Sequence, residues 1–183
     1  MSLKYGLLGL LNYGKMTGYE LDKTFKDSLE FFWQGQTSQI YRDLNSMEKA
    51  GWLSSEIEVQ TGKPNRKIYS ITKEGRAEFL NWLAADEKAV LEALQIRDSF
   101  LMRLFFSSDL KPQKTAQILR IYRDGCRAAL KNLKVVPENI KNYGNKVRQP
   151  KAEASWDMVA LFGKSYYESC EKWATEMLKK LPE

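Results

Sequence analysis

Histidine is absent from all 183 residues. With it go the commonest general base, the commonest metal ligand and the usual charge switch near neutral pH. Cysteine is scarce: Cys126 and Cys170 stand alone, with no CxxC pair. No metal framework or disulfide scaffold is therefore expected, and both thiols read as buried structural residues. No phosphate-cradling loop and no catalytic constellation is present, so the expectation is a non-enzyme without cofactor or metal. No apolar run approaches the ~18 residues of a membrane span. The opening Met1-Ser2-Leu3-Lys4 has neither the charged segment nor the cleavage site of a signal peptide. These absences lead to the expectation of a cytoplasmic protein without membrane association.

What is present is a foldable chain, 43% hydrophobic and 28% charged. The net charge of +6 invites a nucleic-acid reading, but its distribution weakens it. Residues 1–86 hold 11 Lys/Arg against 11 Asp/Glu, and residues 87–183 hold 18 against 12. Local placement of charge has to carry the argument.

The first half reads as helix, helix, helix, hairpin, helix. Leu3, Leu7, Leu10 and Leu11 follow a helical period, with Ser2 as a cap. Thr17 and Glu20 have capping-box spacing and open a helix carrying Leu21, Phe25 and Leu29, ended by Gln34-Gly35-Gln36. A third helix starts near Thr37 or Ser38, turns Ile40, Leu44 and Met47 inward and stops at Gly51. The period then becomes 2: Leu53, Ser55, Ile57 and Val59 line one face of a half-buried strand. After the turn residues Thr61 to Asn65, a second strand carries Tyr69 and Ile71. Thr72 caps a fourth helix with Ala77, Leu80, Leu83 and Ala84. Three helices closed by a hairpin describe a winged helix-turn-helix.

The second half reads as helical. One segment carries Leu94, Leu101, Leu104 and Phe105. A second carries Ile118, Tyr122, Cys126, Ala129 and Leu133. Pro137 to Pro150 reads as a long mobile loop. The last helix repeats Val159, Phe162, Tyr166, Cys170, Trp173 and Met177 at steps of three and four. Such a face needs a partner helix, so Val159, Phe162, Tyr166, Trp173 and Met177 are the expected dimer seam. The fold class is thus mainly α with a small β-hairpin wing: a DNA-binding domain over residues 1–86 and a helical dimerisation domain over 87–183.

A step of 100° per residue puts Ser38, Arg42, Asn45 and Lys49 opposite the buried face of the third helix, with Gln39 and Tyr41 on the flanks. All can donate hydrogen bonds and none is acidic. A helix fits the major groove, where Arg can hold guanine and Gln adenine; Tyr41 and Lys49 suit phosphate. Between Val59 and Lys73 stand Lys63, Arg66, Lys67 and Lys73 with no acid. Helix and hairpin tip together form a candidate DNA-reading surface.

Ser38-Gln39-Ile40-Tyr41-Arg42-Asp43-Leu44, Met47-Glu48-Lys49-Ala50-Gly51-Trp52-Leu53 and the run Gly62 to Gly75 resemble the PadR-type regulators. Leu7 to Leu11 and Thr17 to Leu21 look like the first two helices of that family. Met47 and Trp52 stand where the family usually has Leu. Arg97 to Phe106 looks like its longer, AphA-like branch, which has a helical C-terminal half. The resemblance implies a homodimer on a pseudo-palindromic double-stranded DNA operator. It implies operator contacts from Ser38, Gln39, Tyr41 and Arg42, and wing contacts from Lys63, Asn65, Arg66 and Lys67. It also implies a repressor released by a small aromatic effector. Aromatic residues are plentiful: Phe31, Phe32, Trp33, Trp82, Phe105, Phe106, Trp156, Phe162, Tyr166, Tyr167 and Trp173. Two other readings are a ligand-independent DNA-binding regulator or activator, and a helical protein-interaction module with an incidental hairpin.

Overall fold

The computed structural model describes residues 3–29, 32–62, 64–84, 87–94, 98–147 and 150–181. Contacts divide the chain into two compact units, Met1–Leu91 and Glu92–Glu183. The boundary falls five residues beyond the one expected from sequence. Ser2, Phe31, Lys63 and Arg97 lie outside the described residues.

The first unit orders as α1 (Leu3–Tyr13), β1 (Met16–Thr17), α2 (Gly18–Ser28), α3 (Thr37–Lys49), β2 (Leu53–Glu58), β3 (Arg66–Ile71) and α4 (Lys73–Leu83). The strands form an antiparallel sheet in the order β1-β3-β2. The two-residue β1 adds to the two strands expected from the sequence; it pairs Met16 with Tyr69 and Thr17 with Ile68. Leu7, Leu8, Leu21, Ile40, Leu44 and Met47 are fully buried at the centre, with Phe25 beside them. Each such side chain contributes about 1.5–3 kcal/mol relative to exposure.

Local signals set the helix ends. Thr17 accepts from the Glu20 amide at 3.2 Å, and Glu20 accepts from the Thr17 amide at 2.8 Å, which completes the capping box. The end of α3 is a Schellman turn: the amides of Gly51 and Trp52 donate to the carbonyls of Glu48 and Met47. Gly51 takes φ +77° there, a conformation in which a Cβ is strained.

Three expectations for this unit are corrected. Helix α2 ends at Ser28, not at Gln34 to Gln36; the amides of Phe32 and Trp33 fold back onto the Leu29 carbonyl and turn the chain early. The alternating face of β2 is buried only at Leu53, while Ile57 and Val59 are 69% and 80% exposed. The hairpin projects beyond the core, so alternation outlasts burial. Finally, α4 does not bury Ala77, Leu80, Leu83 and Ala84; it docks through Gly75 and Phe79. Gly75 lies against the Trp52 backbone, where a Cβ would collide with the carbonyl oxygen. That close approach sets the helix rotation.

The second unit contains α6 (Ser99–Phe105), α7 (Pro112–Leu133), α8 (Val136–Val147) and α9 (Pro150–Lys180); α5 (Glu87–Glu92) spans the boundary. The segment carrying Leu94, Leu101, Leu104 and Phe105 is therefore not one helix. Asp98 interrupts it by capping the amides of Phe100 and Leu101. The loop expected over Pro137 to Pro150 is also corrected, since α8 occupies Val136–Val147. Pro137 sits in its first turn, where a missing amide costs little. Gly144 is buried against the Glu153 side chain, which fills the space a Cβ would take. The Pro, Gly and Asn that suggested a loop are thus a helix start and a packing contact. Helix α7 packs along α9; α7 buries Thr115, Leu119, Cys126 and Leu133, and α9 buries Ala174.

Candidate nucleic-acid interface

With Ile40, Leu44 and Met47 fully buried, α3 has one rotation open to it, and Ser38, Gln39, Tyr41, Arg42, Asn45 and Lys49 are all exposed. Arg42 and Lys49 form no ion pair among the described residues. The start of the helix is tied down from behind. Lys26 Nζ donates to Asp22 Oδ2 at 2.8 Å and to Thr37 Oγ1 at 2.7 Å, and the Thr37 hydroxyl donates to Asp22 Oδ1 at 3.0 Å. Two residues of α2 thereby hold the first residue of α3.

Tyr41 lies over Gly18 so closely that a Cβ there would come within 2.6 Å of its ring. Burial against this surface pushes the Tyr41 phenol above the ordinary tyrosine range, helped by the nearby Asp22 carboxylate. Its hydroxyl therefore stays a neutral donor. Tyr41 also lines a cleft of about 550 Å³ with Thr17, Gly18, Tyr19 and Glu20 at the start of α2 and with Asn65, Arg66, Lys67 and Tyr69 of the hairpin.

The hairpin cations do not share one environment. Arg66 is exposed at the base of the loop, opposite Glu58 in the strand register, and forms no ion pair among the described residues. Asn65 is exposed, and its Oδ1 accepts from the Gln60 amide at 3.3 Å, closing the loop. Lys67 differs: its Nζ donates to Glu48 Oε2 at 2.7 Å and sits 5.0 Å from the Tyr69 ring centroid. The other Glu48 oxygen accepts a short hydrogen bond from the Ser55 hydroxyl. The Lys67 ammonium and the Ser55 hydroxyl hold the Glu48 carboxyl below the usual glutamate range. Glu48 thus joins α3, β2 and β3. Sequence reasoning missed this junction because its members are brought together only by the strand register and the turn at Gly51.

In the second unit, Val159, Phe162 and Tyr166 lie on the exposed side of α9 beside Met158 and Leu161. Trp173 and Met177 are half-buried instead. Trp173 meets Phe100 edge-on at 6.3 Å and Tyr122 at 6.1 Å, and those two rings stack at 4.0 Å. The residues of the expected seam thus differ in environment: Val159, Phe162 and Tyr166 are exposed, with Tyr166 in ring contact with Phe162 and Tyr167, while Trp173 packs within its own chain.

The sequence matches the family model for the transcriptional regulator PadR-like family over residues 7–81 and the virulence activator α C-terminal model over residues 96–182. It is 30% identical over 131 residues to the negative transcriptional regulator PadR of Bacillus subtilis (strain 168), covering 72% of this chain and 70% of that protein. The chain belongs to the PadR-like family of transcriptional regulators.

Solved structures carry the likeness across both units. The protein smu.1604c from Streptococcus mutans UA159 is 28% identical, with a TM-score of 0.77 over 98% of this chain and 99% of that one. Bacillus subtilis PadR in complex with operator DNA is 24% identical in the structural alignment, with a TM-score of 0.77 over 98% and 99% of the two chains. Its complex with p-coumaric acid is 23% identical, with a TM-score of 0.70 over 97% of each chain. The Vibrio cholerae virulence activator AphA is 24% identical, with a TM-score of 0.72 over 98% and 97%. This PadR-like chain therefore has the winged-helix fold with a helical C-terminal half, and among its described residues no helix is long and apolar enough to cross a membrane.

Proposed function

We propose that this PadR-like regulator acts in the cytoplasm as a homodimer that represses transcription by binding a pseudo-palindromic operator. The N-terminal unit reads DNA and the C-terminal unit dimerises. The observation that carries this reading is the exposed face of α3: six hydrogen-bonding side chains, none acidic, on a helix locked in one rotation. Arg42 and Gln39 are assigned to base edges, and Ser38, Tyr41, Asn45 and Lys49 to phosphates or flanking bases. Asn65 and Arg66 take the adjacent backbone, together with Lys63, which lies outside the described residues. Lys67 is assigned to holding the hairpin against α3 rather than to a phosphate.

Dimerisation is assigned to the exposed stripe Met158, Val159, Phe162 and Tyr166 on α9. One side of α9 is already covered by α7 and α8, so this second apolar side needs a partner. A second copy supplies it and sets two recognition helices on two half-sites. Release by a small aromatic acid is supported by the complex of Bacillus subtilis PadR with p-coumaric acid. The test is competition binding to the DNA upstream of its own gene, with Arg42→Ala as the control and hydroxycinnamic acids added to the bound complex.

A further inference from the structure

The net charge of +6 has a single origin. Residues 111–151 contain 11 Lys/Arg and only two acids, Asp124 and Glu138, while the rest of the chain carries more acid than base. Apart from Arg148, which lies outside the described residues, these cations lie in or directly flank α7, α8 and the start of α9, within the unit that does not carry α3.

On α7 the cations are aligned. At 100° per residue, Arg120, Arg123, Arg127, Lys131 and Lys134 fall within one stripe, beside the face that packs on α9. Arg123 is bound to Asp124 at 2.9 Å, and Arg127 to Glu171 at 2.8 Å. Arg120, Lys131 and Lys134 are exposed and form no ion pair among the described residues. The helix macrodipole accounts for cations in the last turn, such as Lys131 and Lys134, but not for Arg120 at mid-helix. Two copies of such a stripe repel each other, so it is not a self-association surface.

We propose that this stripe is a second, sequence-independent contact surface for duplex DNA, engaging the phosphate backbone outside the operator. It rests on the DNA-binding reading above and extends it. From Arg120 to Lys134 the stripe runs roughly 21 Å, which spans the axial rise of about six base pairs of B-form DNA. Arg and Lys that meet phosphates release counterions, so each contact steepens the salt dependence of binding. A protein already held at an operator meets the flanking duplex at high effective concentration, so weak contacts there add measurably to affinity.

The test uses the full-length protein and two duplexes: the footprinted operator alone, and the same operator with about two helical turns of arbitrary sequence on each side. The substitutions are Arg120→Gln, Lys131→Gln and Lys134→Gln together, all at exposed positions. Wild type is expected to show a steeper log–log salt slope on the long duplex than on the short one. The triple variant should keep its affinity for the short duplex and lose about 0.9 of slope per contact on the long one. A triple variant with the wild-type slope on the long duplex overturns the proposal, and an acidic protein partner would then be the remaining use of the stripe. Should wild type show no preference for operator over random duplex, the DNA-reading assignment has failed instead. The stripe is then judged by the same slope difference on random duplex.

Discussion

The Nζ of Lys67, on the second hairpin strand, lies 2.7 Å from Oε2 of Glu48, in the last turn of α3. Because Ser55 of the first strand donates to the same carboxylate, one acidic side chain ties both hairpin strands to the helix. Both partners of the ion pair are partly exposed, so its effect on global stability is small. Its effect on the placement of Arg66 and Asn65 is the larger consequence.

Lys67 and Arg66 are therefore expected to behave differently. Arg66→Ala should reduce the salt slope of DNA binding by about one, as loss of a phosphate contact does. Lys67→Met should weaken binding while leaving the slope close to wild type, and Glu48→Gln should mimic it. Anisotropy titrations across a salt series separate the two cases. Equal slope losses at both positions would place Lys67 on a phosphate.

The same junction has a pH dependence of defined sign. The Glu48 carboxyl is held below the usual glutamate range, first by Lys67 and then by Ser55. A depressed carboxylate contributes above the unfolded value and loses its contribution as pH falls through the folded one. Amide exchange in the hairpin should therefore accelerate as pH is lowered from the ordinary glutamate range towards the depressed value, after correction for intrinsic rates. Glu48→Gln should remove that step.

The dimer assignment distinguishes two aromatic residues of the last helix. Phe162 is 69% exposed, and among the described residues its ring contact is with Tyr166, at 6.4 Å. Phe162→Glu should give a folded monomer by light scattering, with operator affinity sharply reduced. Trp173→Glu should instead lower the melting temperature, because it opens the cluster of Phe100, Tyr122 and Trp173. A Phe162→Glu protein that remains dimeric would move the seam off this stripe.

Two local devices make stability predictions. Thr17→Ala removes the cap of α2 and should cost about 0.5–2 kcal/mol. Leu44 is fully buried beneath the exposed face of α3, and Leu44→Ala should cost about 2–5 kcal/mol. Both are measured by denaturant unfolding. Loss of operator binding in either variant should follow loss of fold.

Much of the first unit was legible because its signals are local. Thr17, Thr72 and Gly51 mark helix ends through bonds to residues a few positions away, and the spacing of Ile40, Leu44 and Met47 fixes which side of α3 faces out. What escaped detection depends on partners distant in sequence. The rotation of α4 is set by Gly75 meeting Trp52, and Lys67 is claimed by Glu48. In the second unit, Gly144 and Pro137 resembled loop residues because the Glu153 side chain that packs on Gly144 belongs to the next helix. The spacing on α9 describes a single stripe, whereas Trp173 is drawn inward by Phe100 and Tyr122.

Sequence reading by α3 is assigned to Arg42. Its most direct test is the affinity of wild type and Arg42→Ala for the operator and for a random duplex of equal length, at one salt concentration. A regulator reading bases should prefer the operator. Arg42→Ala should lose about 1–3 kcal/mol of that preference while its affinity for random duplex falls far less. Equal losses on both duplexes would make Arg42 a phosphate contact, and no loss on either would remove α3 from the interface.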